Sequence, residues 1–310
     1  MSQPLRIEAP ELHSLLTTRT RSSELWFSNQ QLFEKTTLGF LAKYQEKYQA
    51  ELYAFVFQGN HYQSVARFPG ENRACFMRDL NSIIARVANS LIPGRPERGS
   101  LWGRRYSEEK LPNPEDIEEY FFYCALQAVH AGLCEHPFQY PGYNSFHDAV
   151  SGKKRTFEVV DRAGYNERLR WDRRAKIKDF TKKVTLKYRR LPGYEGLSQA
   201  DYKAMMLEKL EQRRKKLVAE RKAEGLGFIG RRALLAQAPG ALPKKTKTST
   251  RTSHRPLVLT KDRETRRAIL SWYFAIKAAH LEASRKFRQG IIDVIFPPFT
   301  YRPPAYAGSG

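Results

Sequence analysis

Two pairs of side chains in this sequence have the spacing of a reactive site. Tyr123 and Gln127 are four residues apart on a predicted helix, so their side chains lie one above the other on the same face. His61 and Gln63 are two residues apart in a predicted strand and share one face of the sheet, as metal ligands on a sheet must. If the two pairs meet, a phenol lies beside an imidazole and two amides. A phenol with a pKa of about 10 is a weak nucleophile at neutral pH, so it needs a nearby metal or base to react.

Each of these residues also has a purely structural interpretation. Taken alone, Tyr123 is more typical of a half-buried packing tyrosine whose hydroxyl contacts water. His61 and Gln63 alone are ordinary polar residues on a sheet face, and Asn60 fits the turn of a hairpin. What favours a functional role is that Tyr123 lies beside the predicted core stripe of its helix and is able to face another element. That stripe consists of Ile117, Phe121, Cys124, Ala128 and Ala131.

The elements that must position these residues follow the order strand, helix, strand, strand, helix, strand. Strands are predicted at residues 12–20, 52–57, 61–68 and 100–106, and the middle two form a hairpin. The first helix is capped by Ser28, and the second has an apolar stripe of period 3.6 and ends at Pro93. This order is that of the ferredoxin-like split βαβ sandwich, an α+β fold in which two helices cover one face of an antiparallel sheet. The other sheet face is expected to stay free.

The helix that carries Tyr123 has well-marked predicted ends. Asn113 is its cap, Pro114 stands at its first position, and acidic residues follow in the first turn. Gly132 marks its end. The sequence therefore predicts one continuous helix that carries both Tyr123 and Gln127.

The charge of the chain is divided unevenly along its length. The 310 residues carry a formal net charge of +22. Residues 1–150 contain 15 Lys and Arg against 17 Asp and Glu, whereas residues 151–310 contain 39 against 15. We therefore predict a near-neutral domain over 1–150 and a basic, mostly helical extension over 151–310, with a flexible linker near 238–256. The excess of cations predicts a polyanionic partner, first of all nucleic acid, because each neutralised phosphate releases counterions.

Several parts of the extension supply candidates for contact with DNA phosphates. The helix predicted at 198–224 has a cationic face. This face could also be merely solvated, with the repulsion between its charges reduced by ion pairs such as Glu211 with Lys215. Trp171, Tyr188 and Tyr194 either stack on unpaired bases or belong to a core. An anionic membrane surface is the competing partner, but no clean cationic amphipathic helix supports it. The candidate DNA-binding residues are Arg173, Arg174, Lys176, Lys182, Lys183, Arg213, Arg214, Lys244 and Lys245.

The remaining composition predicts a globular cytoplasmic protein. No apolar run approaches the roughly 20 residues that span a bilayer, and the first residues lack the order of a signal peptide. Cys75, Cys124 and Cys134 have no zinc-type spacing and lie among apolar neighbours, which indicates buried free thiols.

Several motifs, taken in order, resemble one family. The run Gly-Asn-His-Tyr-Gln at 59–63 is followed by a helix with Tyr123, Gln127 and Val-His-Ala-Gly-Leu at 129–133, and then by Tyr-Pro-Gly-Tyr-Asn-Ser-Phe at 140–146. This arrangement resembles the REP-associated tyrosine transposases, which belong to the HUH group of single-tyrosine, IS200-like transposases. The resemblance covers residues 12–150. The segments at 227–237 and 296–301 look like extensions attached to some members.

The resemblance implies a DNA-nicking and strand-transfer enzyme that acts on single-stranded or hairpin DNA. Tyr123 would attack the scissile phosphorus, giving a 5′-phosphotyrosine link and a free 3′-hydroxyl. Mg²⁺ or Mn²⁺ would be held by His61, Gln63 and Gln127. The sequence departs from the family pattern in that Gln63 replaces the second histidine and Gly59 replaces a proline.

Two other functions remain open at this stage. One is a catalytically degenerate, domesticated DNA-binding protein that has lost its metal site through Gln63. The other is an RNA-binding protein, since ferredoxin-like sheets also stack single-stranded RNA, although the strands lack the paired aromatic residues typical of such domains. The resemblance also allows a homodimer.

Overall fold

The structure, a computed structural model, describes residues 5–95, 99–243 and 256–303. Its first half contains β1 (His13–Arg19), α1 (Gln31–Tyr48), β2 (Glu51–Gln58), β3 (His61–Arg67), α2 (Arg73–Leu91), β4 (Ser107–Leu111), α3 (Pro114–Ala125), α4 (Gln127–His130) and α5 (Phe146–Ser151). Its second half contains β5 (Arg155–Val160), α6 (Arg162–Trp171), β6 (Thr181–Leu186), α7 (Gln199–Ala223), α8 (Arg231–Leu235), β7 (Leu257–Val258) and α9 (Arg263–Arg288).

The main sheet has the strand order β2-β3-β1-β4-β7. The first four strands pair antiparallel in the order of a ferredoxin-like fold, and β7 adds a short parallel strand beside β4. The predicted α+β class and the mostly helical extension are therefore confirmed. The extension also contributes β7 and a separate antiparallel hairpin of β5 and β6.

The predicted fourth strand was wrong in position. It was expected at 100–106, whereas the strand that pairs with β1 is β4, whose sequence is Ser-Glu-Glu-Lys-Leu. This polar strand fits the sheet because its charges are neutralised inside the molecule. Glu108 forms an ion pair with Arg73, which is 2 % exposed, and another with Lys110 at 2.5 Å. A buried charge network of this kind leaves no apolar alternation in the sequence.

The expectation of a free sheet face was also wrong. α1 and α2 cover one face, where Leu16, Phe55 and Tyr62 join their apolar stripes. On the opposite face, Val56 and Val65 pack in a second core with residues of α3, α5 and α7. β2 and β3 are buried on both faces, as strands between two layers are. Because the described residues leave neither face open, the sheet offers no platform for stacking RNA bases.

The extension packs against the first 150 residues. Tyr202, Met206 and Leu210 of α7 are buried in the same core as Phe121 and Phe146. Ser198 caps α7 at the predicted start of that helix, and Asp262 caps α9. Since α7 completes a core of the first half, the predicted domain division at residue 150 stays a prediction, and a truncation there would uncover apolar side chains.

The segment after α7 returns to the loops before α1 and after α4. Ile229 N donates to Gly132 O at 3.0 Å, and Asn29 Nδ2 donates to Leu234 O at 3.0 Å. Ser28, predicted as the cap of α1, instead donates its hydroxyl to Gln237 at 3.4 Å, and α1 begins at Gln31. Most of the predicted linker, with Lys244 and Lys245, lies outside the described residues.

Two further sequence-based expectations concern helices and thiols. In the described ranges no helix has the length and apolar character needed to cross a bilayer. The three cysteines are free: Cys124 and Cys134 are buried as expected, while Cys75 is only partly buried.

A tyrosine, histidine and amide cluster at the end of the sheet

The sheet face under α3 changes from apolar to polar along β3. From Val65 through Gln63 to His61, the inward side chains face α3 and then α4. The antiparallel register with β1 places Thr17 opposite Gln63 and Arg19 opposite His61. The strand pair therefore presents a polar patch where the second core ends.

His61 is buried and held in one orientation. Its Nδ1 lies 2.7 Å from Asn60 Oδ1, and Asn60 is itself fixed by donating its Nδ2 to Ser23 O at 3.0 Å. Because an amide oxygen accepts, Nδ1 carries the proton, and the lone pair of Nε2 accepts from Gln127 Nε2. Burial, with a smaller effect of the Arg19 charge, lowers the pKa of His61 to about 3. The imidazole is thus neutral near pH 7, a poor general base and a suitable metal ligand.

Gln63 and Gln127 bring two unsatisfied amide oxygens to this imidazole. Gln127 Nε2 lies 3.3 Å from His61 Nε2, and Gln63 Nε2 donates to Thr17 Oγ1 at 3.3 Å. With both nitrogens engaged, the Oε1 atoms of Gln63 and Gln127 are buried and have no hydrogen-bond partner among the described residues. An unpaired buried oxygen is costly, so two of them at one place indicate a site prepared for a cation or a donor.

Tyr123 lies beside the amides of Gln63 and Gln127. Its ring is 5.3 Å from that of His130 and 5.8 Å from that of Tyr120, measured between centroids. Burial raises the pKa of the phenol, whereas its proximity to the amides of Gln63 and Gln127 acts in the opposite direction. Neither amide makes a hydrogen bond of ordinary geometry to the hydroxyl. The phenol is therefore protonated at neutral pH and needs a positive charge nearby before it can react.

The helix below Tyr123 is interrupted, contrary to the prediction of one continuous helix. Leu126 adopts φ −96° and ψ 7°, and Val129 N bonds to Leu126 O instead of Ala125 O. The carbonyl of Ala125 accepts from Asn144 Nδ2 at 2.8 Å. Asn144 lies in the 140–146 segment and bridges to Val56 of β2. This segment thus caps α3 and turns Gln127 toward His61, a role that its sequence does not reveal.

Arg19 is the residue of this site that sequence reasoning missed. It lies opposite His61 on β1 and is partly buried, and among the described residues it has no ion-pair partner. Burial and the neighbouring Arg104 lower the pKa of Arg19, while Tyr123 acts to raise it, because an ionised phenol would stabilise the guanidinium. A strand register is needed to place Arg19 here, and no spacing within β1 signals it.

The donor set is suited to a hard divalent cation but carries no charge. His61 offers Nε2, and Gln63 and Gln127 offer amide oxygens that lack partners. Throughout the described residues there is no group of three or more His, Cys, Asp or Glu side chains able to hold a metal. One imidazole and two neutral amides fit Mg²⁺ or Mn²⁺ by ligand type and are expected to bind it weakly.

Among the described residues, the predicted DNA-binding side chains fall into two groups. Arg213 bonds to Glu119 at 2.5 Å, and Arg214 bonds to Glu211 at 2.6 Å, so these two charges are engaged within the molecule. Lys244 and Lys245 lie outside the described residues. The exposed group consists of Arg173, Arg174, Lys176, Lys182 and Lys183.

Comparison with known proteins gives only distant structural similarity. No protein-family model matches the chain, and no curated protein matches it. Among solved structures, the chain is similar to a REP-associated tyrosine transposase bound to a REP hairpin, with a TM-score of 0.42 and 17% sequence identity over 48% of this chain and 86% of that chain. Similarity at this level decides neither fold nor function, and both rest on the residues described above.

Proposed function

We propose that this protein is a transposase-like, single-tyrosine DNA-processing enzyme that binds single-stranded or hairpin DNA and cleaves a strand through Tyr123. The observation that carries the proposal is the meeting of the Tyr123 phenol with His61 and the two unpartnered oxygens of Gln63 and Gln127. A nucleophile, a neutral imidazole and two oxygen donors converge at the polar end of one sheet face.

Tyr123 is the nucleophile of the proposed reaction. Tyr123 Oη attacks the scissile phosphorus as its proton passes to solvent, and the bond from phosphorus to the 3′-oxygen breaks. The DNA 5′-phosphate becomes linked to Tyr123, and the departing 3′-oxygen takes up a proton. Since the link conserves the phosphodiester energy, strand joining by reversal needs no ATP.

Three residues would hold a divalent cation in this site. These are His61 through Nε2 and Gln63 and Gln127 through Oε1, and the cation, when bound, would polarise the scissile phosphate. Asn60 keeps the His61 tautomer with an unprotonated Nε2, and Thr17 keeps the Gln63 oxygen turned away from β1. The protein thus orients the donors, as outer partners of metal ligands do.

Arg19 is assigned to the scissile phosphate in this proposal. Neutral donors bind a metal only weakly, so a fixed cation is needed to stabilise negative charge that develops on the phosphate and the phenol, and Arg19 lies on the same face. Arg19→Gln is expected to slow covalent adduct formation about 10-fold. The pH at which the rate of adduct formation rises is expected to be higher than in the wild type. Single-turnover rates measured over a pH series test this.

The matched control for Arg19 is Arg21→Gln, which removes a neighbouring, exposed guanidinium. Its rate is expected to stay within about twofold of the wild type. Equal slowing in both variants would mean that general positive charge, and not the position of Arg19, is what matters.

The decisive experiment for the proposed function is capture of the covalent intermediate. The full-length protein is incubated with end-labelled single-stranded hairpin DNA and Mn²⁺ or Mg²⁺, then denatured and separated. A labelled, protease-sensitive species of the mass of protein plus DNA is expected. If DNA is bound but no such species forms with either metal, the enzymatic proposal is wrong.

One observation favours a second candidate, a DNA-binding protein without catalysis. Gln63 stands where the resembled family has a histidine, and the resulting donor set is uncharged. In that case the exposed cations of the extension still bind DNA, and binding stays salt-dependent because phosphate contacts release counterions.

A further inference from the structure

Trp171 is unusually exposed for its residue type. It ends α6 with 86% of its surface accessible, whereas tryptophan is on average highly buried because its ring offers a large apolar area. The core interpretation of this residue from the sequence is therefore wrong. Exposure of so large an apolar ring at a helix end indicates a binding partner that covers it.

The helix that carries Trp171 is held in a defined position. Asp161 Oδ1 accepts from Gly164 N at 3.2 Å and caps α6, and the rings of Tyr165 and Phe180 meet at 5.6 Å. The β5–β6 hairpin below it packs on α1 at Gly39, where a Cβ would lie 3.2 Å from Val159 Cγ2. The indole of Trp171 is thus carried by a helix that is fixed by its cap and its packing.

The surroundings of Trp171 are strongly cationic. Residues 153–190 carry 15 Lys and Arg against 5 Asp and Glu. Arg168 is engaged with Asp172 at 3.4 Å, but Arg170, Arg173 and Arg174 are exposed and have no ion-pair partner among the described residues. Three free guanidiniums therefore flank one free indole.

This combination matches the chemistry of an unpaired nucleotide. A base has a flat face that stacks on indole, and its phosphates pair with the arginines. A membrane surface fits less well, because α6 exposes one large apolar side chain and no apolar stripe, too little to anchor in a bilayer. A protein partner would be expected to meet a wider apolar patch.

We propose that Trp171 stacks on an unpaired base of a single-stranded nucleic acid while Arg170, Arg173 and Arg174 bind its phosphates. The inference rests on the proposed function, since it assigns the place where the DNA strand is gripped outside the Tyr123 site. It explains why the indole is exposed next to free guanidiniums, and it predicts a preference for unpaired over paired strands.

The test compares full-length Trp171→Ala and Trp171→Phe with the wild type. The probes are a fluorescein-labelled single-stranded oligonucleotide and a blunt duplex of the same sequence. Trp171→Ala is expected to weaken single-strand binding about 10-fold, with Trp171→Phe close to the wild type, because the loss is one of stacking. The slope of log affinity against log salt should stay unchanged, since no phosphate contact is removed.

Leu281→Ala is the matched control, because Leu281 is an apolar side chain of α9 that is 58% exposed and lies outside the β5–β6 region. It should bind both probes like the wild type. Wild-type affinity in Trp171→Ala, or equal losses on single strand and duplex, would overturn the stacking role. The stacking role would also be overturned if vesicles of anionic phospholipid captured the wild type but not Trp171→Ala, because the partner of the indole would then be a membrane.

The outcome is separable from that of the adduct assay. If no adduct forms but Trp171→Ala still loses single-strand affinity, the stacking site stands and the enzymatic proposal falls. If the adduct forms and Trp171→Ala binds like the wild type, the stacking inference alone is wrong.

Discussion

Tyr123→Phe is expected to form no covalent adduct with DNA under any metal condition. The change removes the phenolic oxygen and leaves the ring, so the contact with the ring of His130 is retained. DNA affinity should remain within about twofold of the wild type, because neither apolar packing nor a surface charge changes. The measurement is a denaturing gel of the labelled hairpin alongside equilibrium binding of the same DNA by the same preparation.

Tyr120→Phe supplies the control for this result. Tyr120 lies on the same helix, with its ring 5.8 Å from that of Tyr123. Removing its hydroxyl therefore shows whether the loss of any phenol from α3 affects adduct formation. Its adduct yield should match the wild type. Adduct formation in Tyr123→Phe, or its loss in Tyr120→Phe alone, would move the nucleophile to another residue.

Local periodicity was enough to predict which side chains of each pair share a face. The four-residue spacing of Tyr123 and Gln127 and the two-residue spacing of His61 and Gln63 each fix a shared face, and the structure places these faces against each other. Adjacent turns keep Gln127 near Tyr123 even though the helix breaks at Leu126. Short-range geometry of this kind survives changes elsewhere in the fold.

The parts that sequence reasoning missed depend on contacts between distant segments. Arg19 joins the site through the register of β1 with β3, and Asn144 reaches α3 only because its segment pairs with β2. β4 is stabilised by Arg73, which lies on another element. In each case the deciding partner is far away in the sequence, where periodicity carries no information.

The extension shows the same limit in its charges. Arg213 and Arg173 are alike in sequence, yet one is paired with a glutamate of α3 and the other is exposed. Charge asymmetry therefore predicts a polyanionic partner for the extension as a whole but does not select the residues that meet it. Selection requires knowing which carboxylates lie within reach, and that is set by the packing of α7 on α3.

Gln63→His is expected to strengthen metal binding on the order of 100-fold, or about 2.7 kcal/mol, and to speed adduct formation in proportion at low metal concentration. Gln63 Oε1 is a buried neutral donor on the same strand face as His61, and an imidazole is a stronger ligand than an amide for Mn²⁺. A histidine suits position 63 because the side chain of Gln63 already faces Tyr123 and Gln127. Calorimetric titration with Mn²⁺ in the absence of DNA measures the affinity directly.

Gln63→Ala is the paired variant, since it removes the donor without adding one and is expected to bind Mn²⁺ more weakly than the wild type. Circular dichroism establishes that both variants keep the fold. Should Gln63→His bind Mn²⁺ no more tightly than Gln63→Ala while both are folded, His61 and Gln63 do not hold a metal together. Tyr123 would then have to be activated by Arg19 without a cation, and adduct formation by the wild type would persist in a chelator. The order of the three Mn²⁺ affinities thus decides which of two positive charges, metal or guanidinium, activates the phenol.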